Sequence, residues 1–592
     1  MDWTWDLTVL YQNFDDPAIE KDFAALKEAA EQGEKTLASG AAPLETLERM
    51  TDIFEEISRL EGKLGNFSSL TLSVEAANER AQQLMDRLMN FSVRLSLLSS
   101  AYTRYLGGLS DLERLIQQSE KLQAVAFSLR RSREAAAHLM APEIEEWMLK
   151  MSLSGANAFS NLRDKLDATL KVDYRGQQLP LSAVRSMAYD PDPAVRREVY
   201  EAEVAAYAKI EIPMAACLNG IKGEALTEIE AEHFDSVLAQ TLFNSNMDQE
   251  TLDAMLAAIR EALPAFRKYL RKKGALLGHP DGIPFYDLFA PLSPAGYTPK
   301  AYSIEEAREK LIQEMSKFSP DMGRFIDHAF ENRWIDVFPR EGKGGGAFCA
   351  ELHHQDMSRV LTNFAGSFSD VSTIAHELGH AWHNRCMAGL PACIANAPMP
   401  LAETASIFNE TLLANAAMAQ AEPAQRLSLL EGNLMETTQC IVDIYSRFLF
   451  EREVIERRKD HTLSVDELKA LMLDAQEQSY GDGLSKDVRH PYMWACKSHY
   501  YMPGYSFYNF PYAFGQLFGA GMFAQYQAQG SAFVPRYNRL LRGCGSGMVA
   551  DVAASVGIDV RSADFWRASL RVYTDQVEEF IRLADELIPA AK

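Results

Sequence analysis

Residues 371–387 read VSTIAHELGHAWHNRCM, and the core of that stretch is His376-Glu377-Leu378-Gly379-His380. On an α-helix two histidines four apart project from one face, a turn apart, so both imidazoles can reach a single zinc ion. Glu377 then stands beside the metal, where it can take a proton from water. Asp370 or Ser372 is expected to cap this helix. A catalytic zinc takes three protein ligands and keeps one open position, so a third donor must come from elsewhere. His383 shares the helical face but lies about 10 Å along the axis from His376, too far for bonds near 2 Å. It is read as a residue of the cleft wall or one that supports a ligand. The longer pattern HExxHxxGxxH requires Gly at 383 and His at 386, where this chain has His383 and Cys386. The ligand should therefore sit on another helix.

Downstream of the loop MAGLPACIANAPMP (387–400) the chain reads LAETASIFNETLLANAAMAQ, with Glu403 and Glu410 seven apart and so on one helical face. Glu403 is the natural third ligand, and Glu410 could accept a hydrogen bond from a ligand histidine. Two His and one Glu on one zinc ion make amide hydrolysis feasible, with Glu377 as base and then acid.

A second unusual stretch is HYYMPGYSFYNFPYAFG (499–515), inside a run from Ser498 to Val534 without a single Asp, Glu, Lys or Arg. Its prolines, Asn509, glutamines and tyrosines are too polar for a membrane span. Tyr505, Tyr508 and Tyr512 fall at i, i+3 and i+7, one face of a helix, with His499 upstream. A phenol is a neutral donor that can hydrogen-bond a developing oxyanion without burying a charge. The stretch reads as the wall of a peptide cleft.

The rest of the 592-residue chain is mostly helical in pattern, with apolar residues three and four apart over 18–38, 43–65, 72–106 and 110–135. The expected fold class is mainly α, with Ser358–Gly366 (SRVLTNFAG) as the best strand, since Val360, Thr362 and Phe364 alternate. Pro/Gly-rich connections fall at 278–299 and 339–346. The latter, containing EGKGGG, lacks the Lys-Ser/Thr pair of a phosphate loop and reads as a flexible loop. The segment PLSAVRSMAYDPDPAVR, near 180–195, suggests a boundary that divides the chain into 1–195 and 196–592. The net charge of −23 disfavours nucleic acid or an anionic membrane as partner. Seven cysteines without a CxxC, and a start (MDWTWDLTVLYQNFDDP) without the pattern of a secretory signal, point to free thiols in the cytoplasm. Oligomeric state is not readable.

HELGH with Glu403 and Glu410, then His499, Gly504, Tyr505 and Tyr512, resembles the M3 family of zinc oligopeptidases. WDLTVLY, GGGAFC, HELGHAWH, AETASIFNE and YNFPYAFG resemble its oligoendopeptidase F branch. The resemblance implies a large multi-helix zincin fold with a small β element and a deep channel for short unstructured peptides, one wall of it formed by residues 1–195. It implies one zinc on His376, His380 and Glu403, Glu377 as base, and Tyr505, Tyr512 and His499 on the substrate carbonyl and tetrahedral intermediate. Tyr508 and a strand at 358–364, through Val360 and Thr362, would contact the peptide. The spacing from His499 to Tyr505 is one residue longer than in the thimet branch, and Tyr508 has no counterpart there. The reading is thus an oligopeptide endopeptidase. The alternatives are a zinc carboxypeptidase or dipeptidyl carboxypeptidase, which would need a cation such as Lys497 or Arg536 for the substrate carboxylate, and a non-catalytic metal- or peptide-binding protein, for which Glu377 would have no use.

Overall fold

The computed structural model describes residues 2–292 and 297–588, so part of the 278–299 connection lies outside the described residues. The protein is mainly α, as the sequence pattern implies. Its two compact units are Met1–Leu139 with Pro299–Leu413 and Gln525–Gly557, and Met140–Thr298 with Ala414–Ala524 and Ile558–Lys592. Each draws on three stretches of chain, so neither coincides with a linear division at 195, and the Pro-rich 180–195 segment lies inside the second unit.

In the first unit Asp16 caps the helix Pro17–Ala38 by accepting from the Ala18 N–H, and Pro17 supplies a preset φ at its start. Ile19, Phe23, Leu26 and Ala30 form the buried stripe of that helix, and each large one contributes about 1.5–3 kcal/mol by leaving water. This stripe packs on Pro43–Val74 and Glu79–Gly107 in one core. The second helix runs nine residues past its expected end because the break comes at Asn78, whose side chain caps Ala81. The expected helix 110–135 divides into Leu112–Gln117, Glu120–Ala124 and Ala126–Ala135, since Ser119 accepts from the Leu122 N–H and starts a new turn.

The small sheet of this unit has Met357–Leu361 in the middle, parallel to Ile335–Asp336 and antiparallel to Phe348–Leu352. The expected strand is therefore present, but it offers no edge to a peptide. Val360 is 0% and Thr362 2% exposed, and the Thr362 N–H is already donated to the Asp336 carbonyl at 2.9 Å. Phe348–Leu352 is an edge strand of this sheet, its Glu351 carbonyl accepting from Asn66 Nδ2 at 3.0 Å. The EGKGGG loop is anchored rather than free. The Lys343 ammonium donates to the carbonyls of Phe338 (2.9 Å) and Thr362 (2.5 Å) and lies 2.8 Å from the buried Asp336 carboxylate, which also binds Arg340.

The second unit is built on Glu211–Ala231, Gln249–Leu276, Ile444–Arg458 and Ala563–Leu587, with a hairpin of Lys171–Tyr174 and Gln177–Pro180 that the scarce alternation did not announce. Its two turn residues, Arg175 and Gly176, have φ of 48° and 78°, the left-handed conformations of a tight hairpin turn. Buried ion pairs tie the helices together: Lys222 with Glu451 at 2.7 Å and Lys273 with Glu431 at 2.6 Å. Among the described residues no helix is long and apolar enough to cross a membrane.

Candidate metal centre and tyrosine loop

The HELGH helix is Phe368–Met387. Its cap is Ser367, three residues before the expected cap. The Ser367 hydroxyl accepts from the Asp370 N–H at 3.0 Å, and the Asp370 carboxylate accepts from Ser367 N–H at 2.9 Å and Ala365 N–H at 3.0 Å. Asp370 is thus the return half of a capping box. The residues LAETASIFNET form two helical pieces, Met399–Ala402 and Thr404–Gln420, with Glu403 at the junction.

Three ligand atoms converge in the first unit. His376 Nε2 and His380 Nε2 are 3.2 Å apart, and each lies 3.3 Å from Glu403 Oε2. Bonds of about 2.0–2.1 Å at tetrahedral angles require donor atoms about 3.3 Å apart. The triangle matches one face of such a tetrahedron, and among the described residues this is the one cluster of its kind. Two imidazoles and one carboxylate make a donor set that could hold a divalent metal ion.

Supporting groups fix the triangle. Glu410 Oε1 sits 2.6 Å from His376 Nδ1, so that nitrogen carries the proton and Nε2 presents its lone pair to the centre. Ser406 Oγ donates to Glu403 Oε2 at 2.7 Å. Asn409 Nδ2 donates to the Ala375 carbonyl at 3.1 Å and clamps one helix to the other. Gly379 permits this approach, because a Cβ there would meet the Ala405 carbonyl oxygen at 2.5 Å and Ser406 Cα at 2.6 Å.

Electrostatics follow from burial and from the cluster itself. Burial disfavours charge on Glu403, yet its contacts with His380 and His376 hold the carboxyl down to about 2. Burial likewise opposes charge on His376, and Glu410 outweighs it, raising the ring to about 9, so a metal ion taking the Nε2 lone pair must displace a proton from it. Glu377 is buried beside the ligands, and desolvation pushes its carboxyl upward although the two histidines pull the other way. His383 is not in a cleft wall: it is fully buried, with Nε2 3.2 Å from the Leu541 carbonyl, and burial lowers it to about 4, so it is a neutral core residue.

The tyrosines belong to the second unit. They do not lie on one helix, since Ser498–Tyr501 is a short 3₁₀ turn and the next helix begins at Phe510. Gly504 and Phe507, with φ of 69° and 54°, bend the intervening loop. It nevertheless gathers the four predicted rings. His499 stacks on Tyr508 at 5.5 Å and meets Tyr512 edge-on at 5.9 Å, and Tyr508 lies 6.1 Å from Tyr505. Tyr505 is 55% and Tyr512 37% exposed, as donors for a ligand must be. His499 is lowered to about 4 by burial and then by Arg447, Lys497 and Arg163, so it is neutral near pH 7, and its buried Nδ1 has no partner among the described residues.

Three side chains hold the loop: buried Lys222 Nζ donates to Ser506 Oγ (3.1 Å), and half-buried Thr241 Oγ1 and Arg447 donate to the Ser506 carbonyl (3.0 Å) and to Asn509 Oδ1 (3.0 Å). Sequence reading did not reach these anchors, because they come from helices 62 to 284 residues away along the chain. Ser406 and Asn409 were also missed. The Gly in HELGH was a readable signal, since glycine weakens a helix interior and marks a close approach.

Residues 186–572 match the model of peptidase family M3, and residues 109–171 match a model described as Oligopeptidase F. Among curated proteins, oligoendopeptidase F (plasmid) of Lactococcus lactis subsp. cremoris is 24% identical over 98% of this chain and 97% of its own length. Oligopeptidase PepF of Bacillus subtilis is 22% identical over 98% of this chain and 87% of its own. Among solved structures, oligoendopeptidase-F from Enterococcus faecium superposes with a TM-score of 0.71 at 17% identity, covering 96% of this chain and 99% of the other, a likeness of fold.

Proposed function

Because this chain belongs to peptidase family M3, we propose that it is a zinc metallopeptidase that hydrolyses internal bonds of short, unstructured oligopeptides in the cytoplasm. The observation that carries the zinc reading is the triangle of His376, His380 and Glu403 donor atoms with edges of 3.2–3.3 Å. When bound, zinc supplies Lewis-acid chemistry, acidifying water and polarising the scissile carbonyl.

The protein side of the mechanism assigns one proton path and one charge sink. Glu377 removes a proton from the attacking water and returns it to the leaving amine, a cycle that its burial-raised pKa favours. Glu410 keeps His376 in the tautomer that binds metal through Nε2. Tyr505, Tyr512 and neutral His499 donate to the oxyanion of the tetrahedral intermediate, while Tyr508 packs on the substrate. Peptide main chain pairs with the edge strand Phe348–Leu352 instead of with Val360, whose strand has both sides taken, or with Thr362, whose N–H is already bonded to Asp336.

The test is a graded series of internally quenched peptides of about 5 to 40 residues, with and without a chelator, the products identified by mass. Internal, chelator-sensitive cuts that cease beyond a length limit are expected. Cuts confined to C-terminal residues would favour a carboxypeptidase, and intact peptides with zinc-loaded protein would favour a binding protein.

A further inference from the structure

A cavity of about 530 Å³ lies wholly within the second unit, in the size range of small-molecule sites. Its walls are aromatic: Tyr189 packs on Phe289 at 5.1 Å, and Tyr200 on Phe285 at 6.2 Å. Among them stand three arginines, Arg185, Arg196 and Arg447, one lysine, Lys497, and one carboxylate, Glu203.

The charges do not cancel. Arg196 is paired with the buried Asp287 at 2.7 Å, Arg447 with Asp443 at 2.6 Å, and Arg185 with Glu203 at 3.3 Å. Each arginine thus has its own carboxylate. Lys497 has no hydrogen-bond or ion-pair partner within 4 Å among the described residues, and burial depresses its ammonium, with Arg447 adding to the effect and Asp443 opposing it. With its ammonium protonated, Lys497 gives the cavity one positive charge that no carboxylate matches.

A neutral donor lines the same cavity. The Tyr492 N–H donates to His490 Nδ1 at 3.2 Å, so the proton of that ring resides on Nε2. His490 is 1% exposed and lines the cavity, yet its Nε2 finds no acceptor, the nearest carboxylate oxygen being Glu203 Oε1 at 3.8 Å. A buried N–H without an acceptor costs about 1–3 kcal/mol, and an unpaired ammonium costs more. One acceptor group with one negative charge satisfies both.

We propose that this cavity is a binding site for a single carboxylate carried on an aromatic or apolar body, with Lys497 and His490 Nε2 holding the carboxylate and the Tyr189–Phe289 and Tyr200–Phe285 pairs holding the body. A phosphate dianion would leave a net negative charge beside Glu203, which singles out the monoanion. Two sources share this chemistry: a separate small carboxylate, and the free C-terminus of a peptide, since Arg447 spans the cavity and the tyrosine loop through Asn509. Only the second rests on the peptidase reading.

Calorimetric titration of the whole protein with 3-phenylpropionate and with 3-phenylpropanamide tests the site without involving a peptide bond. The carboxylate should bind at least about tenfold tighter than the amide, as expected for one charge-assisted contact. Lys497→Gln should erase that preference and Lys497→Arg should restore most of it, with thermal unfolding to establish that both variants fold. Displacement of the bound carboxylate by a free-ended dipeptide but not by its C-terminal amide would assign the site to peptide termini, and failure of both to displace it would assign it to a separate small molecule. Equal binding of acid and amide by the wild-type protein, or no binding of either, overturns the proposal. Neither result bears on metal-dependent cleavage.

Discussion

Replacing Gly379 by alanine adds one carbon where the HELGH helix meets the Glu403 segment. That carbon would stand 2.5 Å from the Ala405 carbonyl oxygen and 2.6 Å from Ser406 Cα, both backbone atoms, whereas real Cβ contacts essentially never fall below 3.0 Å. The two segments must part by about 0.5 Å or more, and metal-site distances tolerate only about 0.2 Å. Glu403, which precedes Ala405 by two residues, moves with the displaced segment. Overpacking of this kind costs about 1–3 kcal/mol of stability, but the sharper consequence is at the ligands. Zinc affinity, read by competition with a chromogenic chelator, should fall at least about 10–100-fold, the scale seen when ligand support is lost. Gly62→Ala is the control, since a Cβ there meets nothing within 4 Å. Wild-type zinc affinity in a folded Gly379→Ala protein would refute the close-approach argument.

Removing the acceptor with Glu410→Ala frees the His376 ring, and zinc affinity should drop about 10–100-fold while secondary structure by circular dichroism stays intact. Glu451→Ala leaves the fully buried Lys222 without its carboxylate and should cost about 3–5 kcal/mol in denaturant unfolding, with weakened substrate turnover because Lys222 also holds Ser506. Glu228 is pushed up to about 7 by burial, with Glu232 and Glu224 adding to it. The native protein therefore holds a proton there that the unfolded chain has lost, so this group makes stability fall as pH rises from about 5 through 7. Glu228→Gln should remove that part of the slope in unfolding curves taken at pH 5 and pH 8.

The local signals were the legible ones. The helical spacing of His376 and His380 and the seven-residue interval from Glu403 to Glu410 fixed which atoms could meet, whereas the close approach at Gly379 emerged only from the structure. The Ser367 cap was missed because Asp370 looked like a cap, whereas a carboxylate three residues into a helix is as often the return partner. The tyrosines were placed on a helix because their spacing permits it. Gly504 and a left-handed Phe507 made a loop instead, and long-range anchors from Lys222, Thr241 and Arg447 brought the same rings together. The alternation at Val360, Thr362 and Phe364 revealed a strand but not its place in the sheet. That depends on Ile335–Asp336, a two-residue partner too short to announce itself. The compact units follow a different division from the one at 195, since units assembled from three separate stretches leave no boundary in local composition, while the match to family M3 begins at residue 186.

The central claim is that Glu377 moves the proton while His376, His380 and Glu403 hold the metal. The direct measurement is zinc content and single-turnover peptide cleavage of Glu377→Gln beside wild type. One zinc per chain should remain in both proteins, and cleavage should fall at least about 10²–10⁴-fold in the variant. Cleavage at the wild-type rate by the zinc-loaded variant would contradict the account.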